Sequence, residues 1–255
     1  MPDTRMLDTH TVAQWLQPDW GVSGVRAYCT TRAGHLSQPP FDGFNTAGHV
    51  GDDPDTVAAC RQALADYFQW QGQPQWLRQV HGTTVVEAQG DGLEREGDAV
   101  ISRVPGQVCT LHTADCLPVF FAACDASVVA LAHAGWRGLA AGVLEATVKA
   151  LAVSPRQLRV WLGPAISQPA FEVGDEVRQA FVSQDAAAQA EFQPNARGRW
   201  QADLYGLARR RLHRAGVTHI SGGDYCTFYE PRFFSYRRQP RCGRLLSLIW
   251  IDPAQ

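Results

Sequence analysis

Five short apolar runs crowd the stretch between residues 84 and 133, and their spacing limits the folds that the chain can adopt. The runs occupy residues 84–87, 99–102, 108–113, 119–124 and 128–133. Parallel strands need a crossover of about a dozen residues or more, whereas antiparallel strands can be joined by a tight turn. Several of these runs are too closely spaced for a crossover helix, so the pattern predicts sheets with much antiparallel pairing.

Helix-like segments and further strands surround these runs. Asp53 and Pro54 open a helix as its N-cap and first-turn residue, and Val57, Leu64 and Phe68 follow at helical spacing. Further helices are predicted over residues 138–153, 175–182 and 203–215, and further strands over residues 25–31, 159–162, 233–237 and 245–251. The mixture predicts a layered α/β sandwich with mixed, largely antiparallel sheets, in a single domain over residues 1–255.

Composition excludes several classes of protein. The chain is 45% hydrophobic, enough for a large core, and no run approaches the roughly 18 apolar residues of a membrane span. A formal net charge of −2 and an acidic pI argue against nucleic acid or an anionic membrane as partner. The N-terminus shows no secretory signal. Seven cysteines without a C-x-x-C pair argue against a disulfide framework, so the chain is expected in the cytoplasm.

Three residues that can carry chemistry each lie beside a strand-like run, where a Gly or Pro turns the chain. They are His81, Cys116 and His133. Two imidazoles and one thiol from three strand ends can converge on one point. That point could hold a metal ion with an open coordination position, or a Cys-His pair for nucleophilic catalysis. The residues alone leave both interpretations open.

Two further segments suggest a ligand. Gly135 to Gly138 precede a predicted helix, whose free N–H groups could bind an anion together with Arg137, although a plain surface turn is an equal alternative. Residues 225–238 combine six aromatic residues with three arginines, which suits a core strand and the wall of a pocket for a planar ligand such as a purine. Glu172 could be a site carboxylate, but a helix-start cap is favoured.

Several motifs together resemble the YfiH/laccase-domain family, also called polyphenol oxidase, peptidoglycan editing factor or YfiH-like purine nucleoside phosphorylase. The resemblance covers nearly the whole chain, and the pair ADCLP at 114–118 and HAGWRG at 133–138 is its most specific part. The other matching motifs are TTR at 30–32, Asn45, GDD at 51–53, QVHG at 79–82, DA at 98–99, GPAI at 163–166, FEVG at 171–174, DL at 203–204 and FFSYRR at 233–238.

The resemblance implies a metal site at His81, Cys116 and His133, usually assigned as zinc, with copper as an alternative. It implies a fold related to toxin-type cysteine hydrolases. The implied reactions are phosphorolysis of adenosine, inosine and methylthioadenosine, and deamination of adenosine. The partners would then be a purine nucleoside and phosphate, in a monomer or weak homo-oligomer. His81, Cys116 and His133 are also the expected catalytic residues.

The substrate side is defined less closely by the motifs. Arg61 and Arg137 are candidates for the anion, and Asn45 for hydrogen bonds to ribose or base. Three positions depart from the family pattern, and all three are expected on the substrate side. They are His35 after Gly34, the Gly43-Phe44-Asn45-Thr46 segment, and Cys60 before Arg61.

Two other enzyme classes and one non-enzymatic class remain as alternatives. A four-copper polyphenol oxidase needs roughly ten histidines, whereas the chain has eight, so only adventitious copper at the three-residue site could give weak oxidase activity. A metal-free cysteine hydrolase would use Cys116 as nucleophile and His133 as base to cleave amide bonds. An interaction module gives no reason for three such residues to converge.

Overall fold

The computed structural model describes residues 7–34 and 36–253 of the chain. Residues 1–6, His35 and residues 254–255 lie outside the described part, and with them the expectations placed on the N-terminus and on His35. The α-helices are α1 Thr9–Val12, α2 Pro54–Phe68, α3 Trp136–Ala141, α4 Val143–Leu151, α5 Asp175–Val182 and α6 Leu204–Arg214. Single 3₁₀ turns occupy Gly48–Val50, Pro155–Gln157, Gln168–Ala170 and Ala186–Glu191.

The strands form four sheets. The strands are β1 Val25–Cys29, β2 Leu77–Arg78, β3 Val85–Glu87, β4 Arg95–Glu96, β5 Ala99–Ser102, β6 Cys109–Thr113, β7 Leu117–Ala123, β8 Val129–Ala134, β9 Leu158–Leu162, β10 Glu172–Val173, β11 Phe192–Pro194, β12 Trp200–Ala202, β13 His219–Gly222 and β14 Leu245–Ile251. The largest sheet has the order β13-β9-β7-β8-β5-β3, the next β1-β14-β6, and the small ones β10-β12-β11 and β2-β4.

The central strands of the large sheet are antiparallel, and its edges are parallel. β7 pairs antiparallel with β8 and β9, and β8 with β5, as the short connections predict. The edge strands β3 and β13 pair parallel with β5 and β9. The β1-β14-β6 sheet, which we call the three-stranded sheet, is antiparallel throughout. The prediction of mixed, largely antiparallel sheets is confirmed.

Alternation along β7 shows how the layers pack. Val119 and Phe121 point to the side covered by α4 and α6, where Leu144 and Leu207 are buried. Phe120 points to the opposite side and packs with residues of β6 and β14. The outer face of the three-stranded sheet is covered by α2 and the N-terminal segment. The order of layers is therefore helices, the six-stranded sheet, the β1-β14-β6 sheet and helix α2, and all of β7 is buried.

Two local predictions need correction. The helix predicted over residues 138–153 is two helices, because Gly142 adopts a left-handed φ of 102° between α3 and α4. The strand predicted over residues 233–237 does not form: Phe233 and Phe234 are buried, but the segment is held by turns. The sequence does not predict the short strands β2, β4, β10, β11 and β12, nor β13, whose residues are exposed or half-buried.

None of the helices in the described part of the chain is long and apolar enough to cross a membrane.

Candidate metal centre

His81, Cys116 and His133 meet at one end of the large sheet. His81 lies in the loop after β2, Cys116 directly precedes β7, and His133 lies in β8 opposite Pro118. One potential ligand atom from each residue lies within 4.8 Å of the others, and Cys116 Sγ is 3.9 Å from His81 Nε2. The imidazole centroids of the two histidines are 4.7 Å apart. The structure thus brings together the three residues singled out by the sequence.

Asp98, which follows β4, fixes both histidines. Its Oδ1 accepts hydrogen bonds from His81 N at 2.9 Å and from His133 Nδ1 at 2.8 Å. Its Oδ2 accepts from Gly82 N at 2.6 Å and from Val80 N at 3.2 Å. The loop can close on this carboxylate because His81 takes a left-handed φ of 61°. With Nδ1 engaged, His133 has only Nε2 left for the cluster.

The charges of the three residues are coupled. Burial raises the pKa of the Cys116 thiol, but the imidazoles of His133 and His81 outweigh burial and lower it to about 6. Burial lowers the pKa of His133, but Cys116 and Asp98 outweigh it and raise the pKa to about 9. Without a metal, the centre is therefore a thiolate beside a protonated imidazole at neutral pH. A thiolate is also the form that binds transition metals.

The space between the side chains fits an ion bound by two nitrogens and one sulfur. Zinc at its usual ligand distances and tetrahedral angles separates nitrogen from sulfur by about 3.6 Å, near the 3.9 Å observed between His81 Nε2 and Cys116 Sγ. Gly135 keeps this space open, because a Cβ there would lie 2.8 Å from His81 Cδ2 and 3.0 Å from Cys116 Sγ. His81 is exposed on one side, which leaves room for a further ligand.

The centre opens into a cavity of about 660 Å³. Trp136, Phe171 and Tyr236 contribute aromatic surface to its wall, and each of these rings has an arginine beside it. Arg137 lies 4.4 Å from the Trp136 ring, Arg237 5.7 Å from Phe171, and Arg244 5.9 Å from Tyr236. The volume is within the range of small-molecule sites, and the wall combines planar apolar surface with positive charge.

The predicted substrate residues occupy different positions. Arg137 is exposed and lines the cavity. Asn45 is buried and does not line the cavity, although it contacts the backbone of the lining residue Arg244. Its Oδ1 accepts from Ala47 N and Arg244 N, and its Nδ2 donates to Asp52 at 2.8 Å. Arg61 lies behind the wall, with Nε donating to Thr46 O and the guanidinium 4.1 Å from the Trp76 ring. Their roles towards substrate stay predictions.

Two of the positions that depart from the family pattern lie in the core. Phe44 is 1% exposed and packs against Trp15, and Cys60 is fully buried in α2. Gly43 has φ 127°, and a Cβ there would meet Arg32 O at 2.4 Å. Gly43, Phe44 and Cys60 are not among the residues that line the cavity.

The expectation that Glu172 caps a helix is wrong. Helix α5 begins after Gly174, which makes no side-chain cap, and Glu172 lies in β10. Its carboxylate accepts from Asn195 Nδ2 at 2.7 Å and pairs with Arg197. Its carbonyl accepts from the Arg237 guanidinium, which holds that arginine at the cavity.

Residues that sequence reasoning did not single out also shape the site. His49 and His112 line the cavity, with ring centroids 6.0 Å apart. Alternation along β6 places His112 but says nothing of His49, which comes from a 3₁₀ turn. Asp98 appeared only as part of a motif, because its partners in residues 80–82 lie in a separate loop.

Comparison with known proteins gives consistent matches over nearly the whole chain. The family model described as multi-copper polyphenol oxidoreductase laccase matches residues 26–252. "Purine nucleoside phosphorylase PA4543" of Pseudomonas aeruginosa is 53% identical, covering 93% of this chain and 98% of that protein. "Purine nucleoside phosphorylase YfiH" of Escherichia coli is 48% identical, covering 94% and 98%.

Solved structures agree with the fold described above. Neisseria meningitidis protein NMB0706 superposes with a TM-score of 0.90 at 42% identity, covering 93% of this chain and 99% of that one. YlmD from Geobacillus stearothermophilus gives a TM-score of 0.83 at 28% identity, covering 93% and 98%.

Proposed function

This chain belongs to the multi-copper polyphenol oxidoreductase laccase family, and from that premise we propose that it is a metal-dependent purine nucleoside phosphorylase. Its relatives in Pseudomonas aeruginosa and Escherichia coli bear that enzyme name. The proposed nucleosides are adenosine, inosine and methylthioadenosine, with deamination of adenosine as a second reaction. Zinc is the proposed metal, with copper as the alternative, and His81, Cys116 and His133 are its proposed ligands.

One observation carries the proposal: the His-Cys-His cluster borders a cavity that is both aromatic and positively charged. A planar purine can stack on the rings of Trp136, Phe171 or Tyr236. Phosphate can pair with a guanidinium such as that of Arg137, which has no carboxylate partner among the described residues. A nucleoside and phosphate are the two reactants that such a wall would bring together.

Phosphorolysis sets definite tasks for these residues. A phosphate oxygen forms a bond to ribose C1′, the C–N bond to the purine breaks, and its electron pair leaves with the base. Arg137 would hold the phosphate near C1′, and the aromatic wall would hold the base in the orientation for cleavage. Asp98 would keep the ring of His133 fixed through Nδ1. A bound metal ion would supply Lewis-acid polarisation.

A multi-copper oxidase agrees poorly with the residues present. In residues 7–34 and 36–253, one group of three or more candidate ligands comes together, at His81, Cys116 and His133. His49 and His112 form a separate pair, and His112 already contacts Thr46 through Nε2. An oxidase of the familiar kind needs a second, multi-copper cluster. We therefore place polyphenol oxidation below nucleoside cleavage.

The direct test is chromatography of inosine and adenosine incubated with metal-replete protein, with and without phosphate. We expect free base and ribose 1-phosphate with phosphate present, and no base without it. Cys116→Ala serves as the inactive control. Base release at the same rate without phosphate would indicate hydrolysis. No release from any purine nucleoside would end the proposal, while ammonia from adenosine would reveal the deaminase reaction.

A second candidate function has specific geometric support. Cys116, His133 and Asp98 form a thiol, an imidazole and an orienting carboxylate in sequence, as in cysteine hydrolases. In that case Cys116 would attack an amide carbonyl and His133 would protonate the leaving amine. The relation to toxin-type cysteine hydrolases stays a prediction. Amidase activity that survives complete removal of metal and is lost in Cys116→Ser would favour this candidate.

A further inference from the structure

A second group of basic side chains lies in and behind the wall of the same cavity, apart from the metal centre. His49, His112 and Arg244 line the cavity. His112 stacks on Trp76 with centroids 5.6 Å apart and an angle of 11°, and the Arg61 guanidinium lies 4.1 Å from the Trp76 ring. We call His49, Arg61, His112 and Arg244 the distal cluster.

The hydrogen bonds of the two arginines leave donors free. Arg244 Nη1 donates to the carbonyls of Cys242 and Gly243, at 2.8 and 3.1 Å, and contacts Cys242 Sγ at 3.6 Å. Its Nε and Nη2 have no acceptor among the described residues. Arg61 gives Nε to Thr46 O at 2.9 Å, and its two terminal nitrogens likewise have none. A guanidinium presents five N–H donors, so both keep unused donors on a fixed frame.

Positive charge at the distal cluster is only partly balanced. Neither Arg61 nor Arg244 has a carboxylate within ion-pair distance in the described residues, whereas many of the surface arginines do. Glu94 is the acidic residue whose charge acts on Arg61 and His49. Burial of His49 lowers its pKa and Arg244 lowers it further, and burial of His112, with His49 and the arginines, lowers its pKa well below the ordinary value. Glu94 supplies one negative charge against two guanidinium cations, and a bound anion would balance the remaining positive charge.

We propose that the distal cluster is a second anion subsite, in which Arg244 and His49 hold a phosphoryl group while Arg61 adds charge from behind. A neutral nucleoside and one phosphate at Arg137 leave this cluster without a ligand. The phosphoryl group has two possible sources: free inorganic phosphate, or the 5′-phosphate of a nucleotide whose base lies on the aromatic wall. The subsite adds to the proposed function and does not depend on turnover.

Binding measurements separate the two sources. Calorimetry on the full metal-loaded protein would use inorganic phosphate, inosine and inosine 5′-monophosphate as probes. Arg244→Gln removes the main donor, and His49→Gln is a second variant at an exposed residue. Arg232→Gln is the matched control, because Arg232 also lies over aromatic rings but pairs with Glu230 and does not line the cavity.

If the 5′-phosphate is the source, inosine 5′-monophosphate binds more tightly than inosine. Arg244→Gln then weakens binding of the monophosphate by about tenfold or more, and the difference from inosine is lost. If free phosphate is the source, Arg244→Gln weakens phosphate binding to the same extent while Arg137→Gln leaves one phosphate bound. The proposal is overturned if neither Arg244→Gln nor His49→Gln changes the binding of any phosphorylated probe. Arg244-dependent binding without phosphorolysis would refute the proposed function alone.

Discussion

Replacing Asp98 by Asn tests whether one buried carboxylate builds the metal centre. The Asp98 side chain is 0% exposed, and its two oxygens accept four hydrogen bonds. An amide can replace only one oxygen as acceptor. If its NH₂ takes the place of Oδ2, it faces the N–H groups of Val80 and Gly82. If it takes the place of Oδ1, it faces His81 N and donates to His133 Nδ1, which moves the ring proton to Nε2.

The magnitude follows from these contacts. Each buried donor left facing a donor costs about 1–3 kcal/mol. Asp98→Asn should therefore lower the free energy of unfolding by about 2–6 kcal/mol in the first orientation, which has two such contacts, and by about 1–3 kcal/mol in the second, which has one. In the second orientation, the proton on Nε2 occupies the nitrogen proposed to bind metal. Loss of a carboxylate behind a histidine ligand typically weakens metal binding by about 10–100-fold. We expect both losses in this variant.

Two measurements check this prediction. Denaturant unfolding of the metal-free protein gives the stability, and competition with a chromogenic chelator gives the metal affinity. Asp203→Ala is the control, because it removes the N-cap of α6 at Gly206 N, at a cost of about 1 kcal/mol, far from the centre. An Asp98→Asn protein that binds metal as tightly as the wild type would refute the assigned role of Asp98.

The pH dependence provides an independent check. Burial of Asp98 raises its pKa, but hydrogen bonds from His133, Gly82 and Val80 outweigh burial and hold the pKa below its ordinary value. A carboxyl with a depressed pKa adds stability that is complete above its unfolded pKa of about 3.9 and is lost as the pH falls further. The stability difference between wild type and Asp98→Asn should therefore narrow below about pH 4. A constant difference down to pH 2 would contradict this linkage.

Three further predictions concern the same cavity. Gly135→Ala should fold normally, since Gly135 has an ordinary extended φ of −62°. The variant should bind metal at least about tenfold more weakly, because the new Cβ would crowd Cys116 Sγ. Unchanged metal content in the dialysed protein would contradict this. Iodoacetamide should label Cys116 slowly in metal-bound protein and rapidly after chelation, as mass spectrometry of the peptide shows; rapid labelling with metal bound would favour the cysteine hydrolase. Arg137→Ala should raise the phosphate concentration for half-maximal rate by about tenfold or more and change the nucleoside KM less, and steady-state kinetics showing the reverse would remove Arg137 from the phosphate.

The sequence predicted most of the sheet framework and failed where distant residues decide the conformation. The strand at 99–102 and the strand at 245–251 form as predicted, because these largely apolar runs are buried on both faces. The strand predicted at 233–237 does not form, because its aromatic residues lie in different environments. Phe233 is buried in the core, whereas Tyr236 is 55% exposed beside the cavity. Periodicity cannot distinguish these environments.

The candidate site likewise contains residues that the sequence predicts and residues that it does not. His81, Cys116 and His133 could be found because each lies at or near the end of a strand next to a Gly or Pro, and strand ends meet in space. Asp98 could not be given its role, since three of its four hydrogen bonds come from backbone N–H groups, which carry no side-chain signal. The single helix predicted over residues 138–153 ignored Gly142, whose left-handed φ separates α3 from α4.

The chain crosses from the β1-β14-β6 sheet to the six-stranded sheet beside the cavity. This crossing explains why one end of the cavity carries the metal centre and the other the distal cluster. The chain leaves the three-stranded sheet at Thr113 and enters the large sheet at Leu117. Asp115 makes this crossing with a φ of 92°, and its carboxylate is fixed by Thr227 Oγ1 and Arg237 N, each at 2.6 Å. Arg237 thereby stays anchored to the crossing loop.

The same crossing links the metal centre to the distal cluster. His112 belongs to one sheet and Cys116 to the other, although few residues separate them. Gln79 links the metal centre and the distal cluster a second time. Its side chain accepts from His112 N at 2.8 Å and donates to His112 O at 2.9 Å. Gln79 lies two residues before His81. A ligand that spans the cavity would therefore contact two rigidly connected ends. For this reason, Gln79→Ala should weaken a phosphorylated nucleoside more than it weakens either inosine or phosphate alone, and calorimetry showing equal losses for all three probes would argue against a shared frame.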